Sequence, residues 1–199
     1  MAANTSVTPG KWIRMGWSIV REDIGNFILI SLVAAALTAV GSFVVAGPLL
    51  AGMFIAVRRR MLEGRTDFMD LFAGFNSFVD SFLTFILVSV FMLIGLMLCI
   101  FPVIIVAALY LFPFLFLIDR KLSFWDAMES SRKLAARDLT GYVVFVLLLL
   151  LLNFVGLLLF GLGLLVTVPV SVAALAVAYK ESVGFLFQPP ASHGPVVIP

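Results

Sequence analysis

The charged residues of this chain fall into four clusters separated by long uncharged stretches, and no other feature constrains the fold as much. The clusters run Lys11–Asp23, Arg58–Asp80, Asp119–Asp138 and Lys180–Glu181. The stretches between them, 24–57, 81–118 and 139–179, are 34, 38 and 41 residues long. An uncharged apolar run of about 20 residues is enough to cross a hydrocarbon core of about 30 Å. Each stretch is therefore too long for one crossing and suited to two. The spacing predicts an all-α membrane protein with six transmembrane helices arranged as three hairpins, every charged cluster returning to the same side.

Composition points the same way. Hydrophobic residues make up 63% of the 199 and charged residues 12%, whereas soluble domains carry about 25% charged residues. A net charge of +2 gives no electrostatic footprint for nucleic acid. The single cysteine, Cys99, rules out a disulfide within the chain, and it reads as a small apolar filler at a turn. Met1–Gly10 is polar and lacks the pattern of a cleavable signal, so the first apolar segment is expected to act as an uncleaved insertion signal. The expected organisation is a polar segment at 1–10, a membrane domain at 11–187, and a Pro-rich, extended tail at 188–199.

Helix breakers suggest where each hairpin turns. Gly47-Pro48 is expected to end the first arm, because proline lacks the N–H and clashes with the preceding turn. The second and third turns are expected at 99–102 and 161–164. Pro113 predicts a kink in the fourth arm, and Pro169 lies early in the sixth. The closing charges Arg58, Arg120 and Lys180 recur at intervals of 62 and 60 residues, which reads as a threefold quasi-repeat.

A short interfacial amphipathic helix is expected before each hairpin. In the middle one Phe68, Leu71, Phe72 and Phe75 follow i, i+3, i+4, i+7, with Asp67 as cap and Asp70 in the first turn. The third starts at Ser123 with Asp126 three residues on, a capping-box-like pattern, and is expected to turn Phe124, Trp125, Met128 and Ala135 inward. The first lies around Trp12–Ile19. All three tryptophans fall in these segments, where aromatic rings favour the water–lipid boundary. The expected turns carry no Lys or Arg, so the positive-inside rule places the charged face and both termini in the cytoplasm, at a bacterial inner membrane.

Few residues carry chemistry. The three uncharged stretches contain no histidine either, and coupled transporters usually hold an ionisable group within the bilayer. Asn153 is the most polar side chain in an expected span. It reads as a helix-packing hydrogen bond, with a substrate contact as the alternative. Arg58, Arg59, Arg60 and Arg65, with Arg120 and Lys121, are candidate lipid-headgroup contacts, against a plainer reading as topology determinants. Asp67, Asp70 and Asp80 read as caps and solvated groups. His193 lies in the tail, so haem ligation by histidine within a span is excluded. No catalytic constellation is visible, and no cofactor or metal is expected.

The residues Gly47-Pro48-Leu49, Gly52, Arg58, Gly64, Phe68, Asp70-Leu71-Phe72 and Gly74-Phe75, then Pro113, Asp119, Trp125-Asp126-Ala127 and Ser130, carry a resemblance. On them the chain, from about Gly16 to Gly184, resembles uncharacterised bacterial polytopic membrane proteins similar to the membrane domain attached to some glycerophosphodiester phosphodiesterases. The resemblance implies a six-helix membrane domain. It implies no hydrolytic activity, because nothing in these residues corresponds to the phosphodiesterase domain. The expected role is non-catalytic: an accessory or structural subunit of a larger membrane assembly, in contact with membrane lipids and with a protein partner or further copies of itself. The alternative is a facilitator or flippase for a lipid or other amphipathic molecule.

Overall fold

The computed structural model describes residues 7–98, 100–159 and 161–186, and among these the chain is all-helical. The helices are α1 (Pro9–Arg21), α2 (Ile24–Glu63), α3 (Asp70–Ala73), α4 (Phe78–Leu98), α5 (Ile100–Leu109), α6 (Pro113–Arg120), α7 (Phe124–Ala135), α8 (Leu139–Leu158) and α9 (Leu164–Ser182). Four helical stretches are long and apolar enough to cross a membrane: Asp70–Met97, Pro102–Arg120, Phe124–Leu158 and Leu164–Ser182. Counting α1 and Ile24–Ala39 together, although they meet at 97°, makes five. The protein is a multi-pass membrane protein. Cys99, His193 and the tail at 188–199 lie outside the described residues.

The 40-residue helical run α2 is not straight. At 1.5 Å per residue it would measure about 60 Å, yet Arg60 lies 3.1 Å from Glu22 and 3.7 Å from Asp23. The run therefore folds back on itself. Ser31 and Thr38 from its first arm and Ala46 and Met53 from its second line one cavity. The helix break expected at Gly47-Pro48 does not form, since both residues are helical. Pro48 sits inside helical α2 and not at a break.

The other two hairpins form as antiparallel pairs. Gly95 of α4 faces Val103 of α5, and Phe91 stacks on Tyr110 at 5.2 Å. Gly156 of α8 packs on Gly163 and Thr167, while Tyr142 and Ser182 share a 3.0 Å hydrogen bond at the other end. The kink expected at Pro113 is a full interruption. Helix α5 ends at Leu109 and α6 begins with Pro113.

Close backbone approach explains several glycines. A Cβ on Gly52 would overlap the Leu71 carbonyl, one on Gly74 the Pro48 carbonyl, and one on Gly47 the Ser81 carbonyl. The second arm of α2 thereby lies directly against α3 and the start of α4. Gly16 of α1 similarly meets the backbone of Ala174 in α9. The small face of α9 permits this, since Ala173, Ala174 and Ala178 are fully buried. Such small-residue contacts are how membrane helices pack without a hydrophobic driving force between them.

The short amphipathic helices differ from expectation in which faces they bury. In α1 the buried stripe is Trp12, Gly16 and Val20. Trp12 is 1% exposed, packed on Tyr142 and Phe145. In α3 only Asp70 and Leu71 are buried, and Phe68 and Phe72 face outward. In α7, Ala127, Met128, Ser131, Leu134 and Ala135 are buried, while Trp125 is 60% exposed. The Ser123 cap forms: its hydroxyl accepts from the Asp126 N–H at 3.3 Å and donates to the Asp126 carboxylate at 2.8 Å. Asp67 accepts from the Met69 N–H at 2.9 Å.

Candidate functional site

The charged ends of the three hairpins converge. Arg58 lies at the end of α2, Asp119 near the end of α6 and Tyr179 near the end of α9, 61 and 60 residues apart in sequence. The Asp119 side chain is 1% exposed and stands 3.4 Å from the Arg58 guanidinium. The Tyr179 hydroxyl donates to Asp119 at 3.2 Å, and the Leu186 backbone N–H donates at 3.2 Å as well. The Arg58 guanidinium also lies over the Phe185 ring, 5.6 Å from its centroid. Each hairpin contributes one member to this cluster, and the segment after α9 closes over it.

The next two arginines engage other elements. Arg59 binds Asp70 of α3. Arg60 holds Glu22 and Asp23 at the start of α2 and donates to the Gly64 carbonyl at 2.6 Å. Three consecutive arginines thus tie the end of α2 to α6, to α3, and to its own beginning. Arg65 pairs with Glu63 at 2.9 Å, and Arg120 lies 3.9 Å from Asp119. Lys121 is exposed and ends α6 in a left-handed conformation, φ 50°. Of the six candidate headgroup cations, five therefore have an intramolecular carboxylate partner. A further tie joins α1 to α9: Lys11 and the Trp12 indole N–H both reach Glu181, at 2.6 and 2.7 Å.

Asn153 lies on the inner side of the third hairpin. Its amide donates to the Leu149 carbonyl at 2.9 Å and to the Ser171 hydroxyl on α9 at 2.8 Å. Ser171 in turn donates to the Thr167 carbonyl at 2.8 Å.

Nearer the turns, an apolar cavity of about 600 Å³ opens between the folded α2, α4 and the start of α9. Ala34, Ala35, Ala46, Met53, Phe85 and Leu165 are among its lining residues, and none of the lining residues is charged. The polar groups on its wall are the hydroxyls of Ser31 and Thr38, and Ser31 Oγ is buried without a hydrogen-bond partner among the described residues. Helix α8 turns a broad apolar face outward, with Leu147, Leu150, Leu151, Phe154 and Leu158 all exposed. Among the described residues no cluster of three or more His, Cys, Asp or Glu is placed to hold a metal ion.

Two features of this arrangement escape sequence reasoning. One is the pairing of Arg58, Asp119 and Tyr179, although the 60-residue recurrence of closing charges contains its outline. The other is Ser131, buried on α7 beside the α5–α6 interruption. The chain matches no family model, no curated protein and no solved structure.

Proposed function

We propose that this chain is a six-span, non-catalytic protein of a bacterial inner membrane that serves as an accessory or structural subunit and seats the acyl chain of a lipid. Its charged face and both termini lie in the cytoplasm, in keeping with the positive-inside rule. Both arms of α2 count as crossings in this reading, the second reaching the headgroup level through Arg58–Arg60. The resemblance to the membrane domain attached to some glycerophosphodiester phosphodiesterases is part of the same proposal.

The observation that carries the lipid role is the uncharged 600 Å³ cavity between hairpins. Within a bilayer the solvent available to fill such a space is hydrocarbon, and a pocket of this size matches typical small-ligand sites. The unpartnered Ser31 hydroxyl offers one donor to an ester carbonyl. A flippase would also need a polar path for the headgroup, and this lining provides only two hydroxyls. The cavity therefore favours holding a lipid over translocating one. The apolar face of α8 supplies a surface for surrounding lipid or for a protein partner.

Native mass spectrometry of the protein after gentle solubilisation and progressive delipidation tests this reading. The wild type is expected to retain one lipid longest, and Ala35→Phe/Thr38→Phe, which fills the cavity, is expected to lose it. Equal retention by both, or by neither, contradicts lipid seating. A strictly monomeric protein that co-purifies with no partner contradicts the subunit role.

A further inference from the structure

The charged face holds a second concavity, of about 730 Å³, that shares no lining residue with the apolar cavity. Four cations line it from separate parts of the chain. Arg120 ends α6, Lys133 lies on α7, Arg137 lies in the short 3-10 turn after α7, and Lys180 lies in the last turn of α9. One carboxylate, Glu181, also lines it, but Lys11 and Trp12 already engage both of its oxygens. Lys133 shares Glu129 with Arg132, at 3.3 and 2.8 Å. Among the described residues neither Arg137 nor Lys180 has a carboxylate within ion-pair distance. The buried Nε of Arg120 makes no hydrogen bond among the described residues and lies 3.9 Å from Asp119. Cations that only fix topology can lie anywhere on the cytoplasmic side. These four surround one hollow; Asp119 and Glu129 offset Arg120 and Lys133 in part, while Arg137 and Lys180 bring charge that no carboxylate within ion-pair distance offsets among the described residues.

We propose that this concavity binds a phosphate monoester or a comparable dianionic group. Arginine presents a planar fork of donors that matches phosphate oxygens two at a time, and lysine supplies compact charge. A dianion would offset the mutual repulsion of the cations that line the hollow. The walls formed by Phe116, Leu122 and Leu134 leave room for an apolar or sugar-like remainder. The phosphate belongs either to the headgroup of an anionic lipid or to a soluble phosphate ester. This inference does not depend on the acyl-chain cavity.

The test uses the full chain in nanodiscs. In one arm, inorganic phosphate is titrated calorimetrically into protein held in zwitterionic lipid. In the other, nanodiscs containing phosphatidic acid are dissolved into mild detergent and the retained lipid is identified by native mass spectrometry. Binding is expected in at least one arm. It should weaken at least tenfold in Arg137→Gln/Lys180→Gln and more than tenfold again on raising salt. It should survive in the charge-retaining Arg137→Lys/Lys180→Arg and in Lys121→Gln. Binding in the lipid arm alone assigns the site to a lipid headgroup, and binding of free phosphate assigns it to a soluble ester. Absence of binding in both arms overturns the proposal, as does equal binding by the glutamine double variant.

Discussion

The Ser131 hydroxyl donates to the Leu109 carbonyl at 2.8 Å and accepts from the Phe112 N–H at 3.1 Å. Pro113 has no N–H to offer Leu109, so the interruption between α5 and α6 leaves a carbonyl and an amide without helical partners. One serine on α7, fully buried, satisfies both. Ser131→Ala strands the two groups in an apolar setting, at a cost of about 1–3 kcal/mol. Thermal unfolding in detergent should show a lower midpoint for Ser131→Ala and almost none of that change for the neighbouring Ser130→Ala.

Gly52→Ala is expected to be severe. Its new methyl would overlap the backbone of Leu71, which cannot move aside as a flexible side chain would. We expect a loss of about 3 kcal/mol, at the upper end for overpacking. Gly25→Ala meets nothing within 4 Å. Being in a helix, it should be neutral or stabilising by up to about 1 kcal/mol. Steric trapping of the two variants in bicelles measures the contrast.

The fold was legible where exclusion of charge from the bilayer dictates it, and less so where packing decides. Three uncharged stretches of 34 to 41 residues leave few arrangements other than paired helices. The turn of α2 was misread because Gly47 and Pro48 resemble a helix break. In the fold Gly47 instead admits the Ser81 backbone, and Pro48 lies within the helix. The partners of Arg58, Arg59 and Arg60 were invisible for another reason. Asp119, Asp70 and Glu22 lie 61, 11 and 38 residues away, and only the fold makes them neighbours. The contact of the Trp12 indole N–H with Glu181, 169 residues away, was invisible for the same reason.

Asp119→Asn should destabilise by about 3 kcal/mol, because removing one member of a buried pair leaves the other charge uncompensated. Arg58 would then retain only the Phe185 ring and partial solvent contact. The double variant Arg58→Met/Asp119→Leu should recover much of the loss, since an apolar pair of similar volume avoids desolvating either charge. A double-mutant cycle by thermal unfolding reads the coupling, and additive losses would contradict it.

Asn153→Leu removes one hydrogen bond between α8 and α9. Interhelical hydrogen bonds in membranes contribute about 0.6 kcal/mol on average, so the expected loss is small. A loss of lipid binding with unchanged stability would favour a ligand contact over packing.

The central claim is that three helical hairpins place all their turns on one side and all their charge on the other. Cysteine accessibility in intact bacterial cells tests it directly. In a Cys99→Ala background, Val44→Cys, Met97→Cys and Leu162→Cys sit near the three turns at exposed positions. An impermeant maleimide added outside the inner membrane is predicted to label all three, and to label Arg65→Cys and Lys121→Cys only after the membrane is broken. Labelling of either charged-face position in intact cells, or protection of any one turn until lysis, would contradict the account.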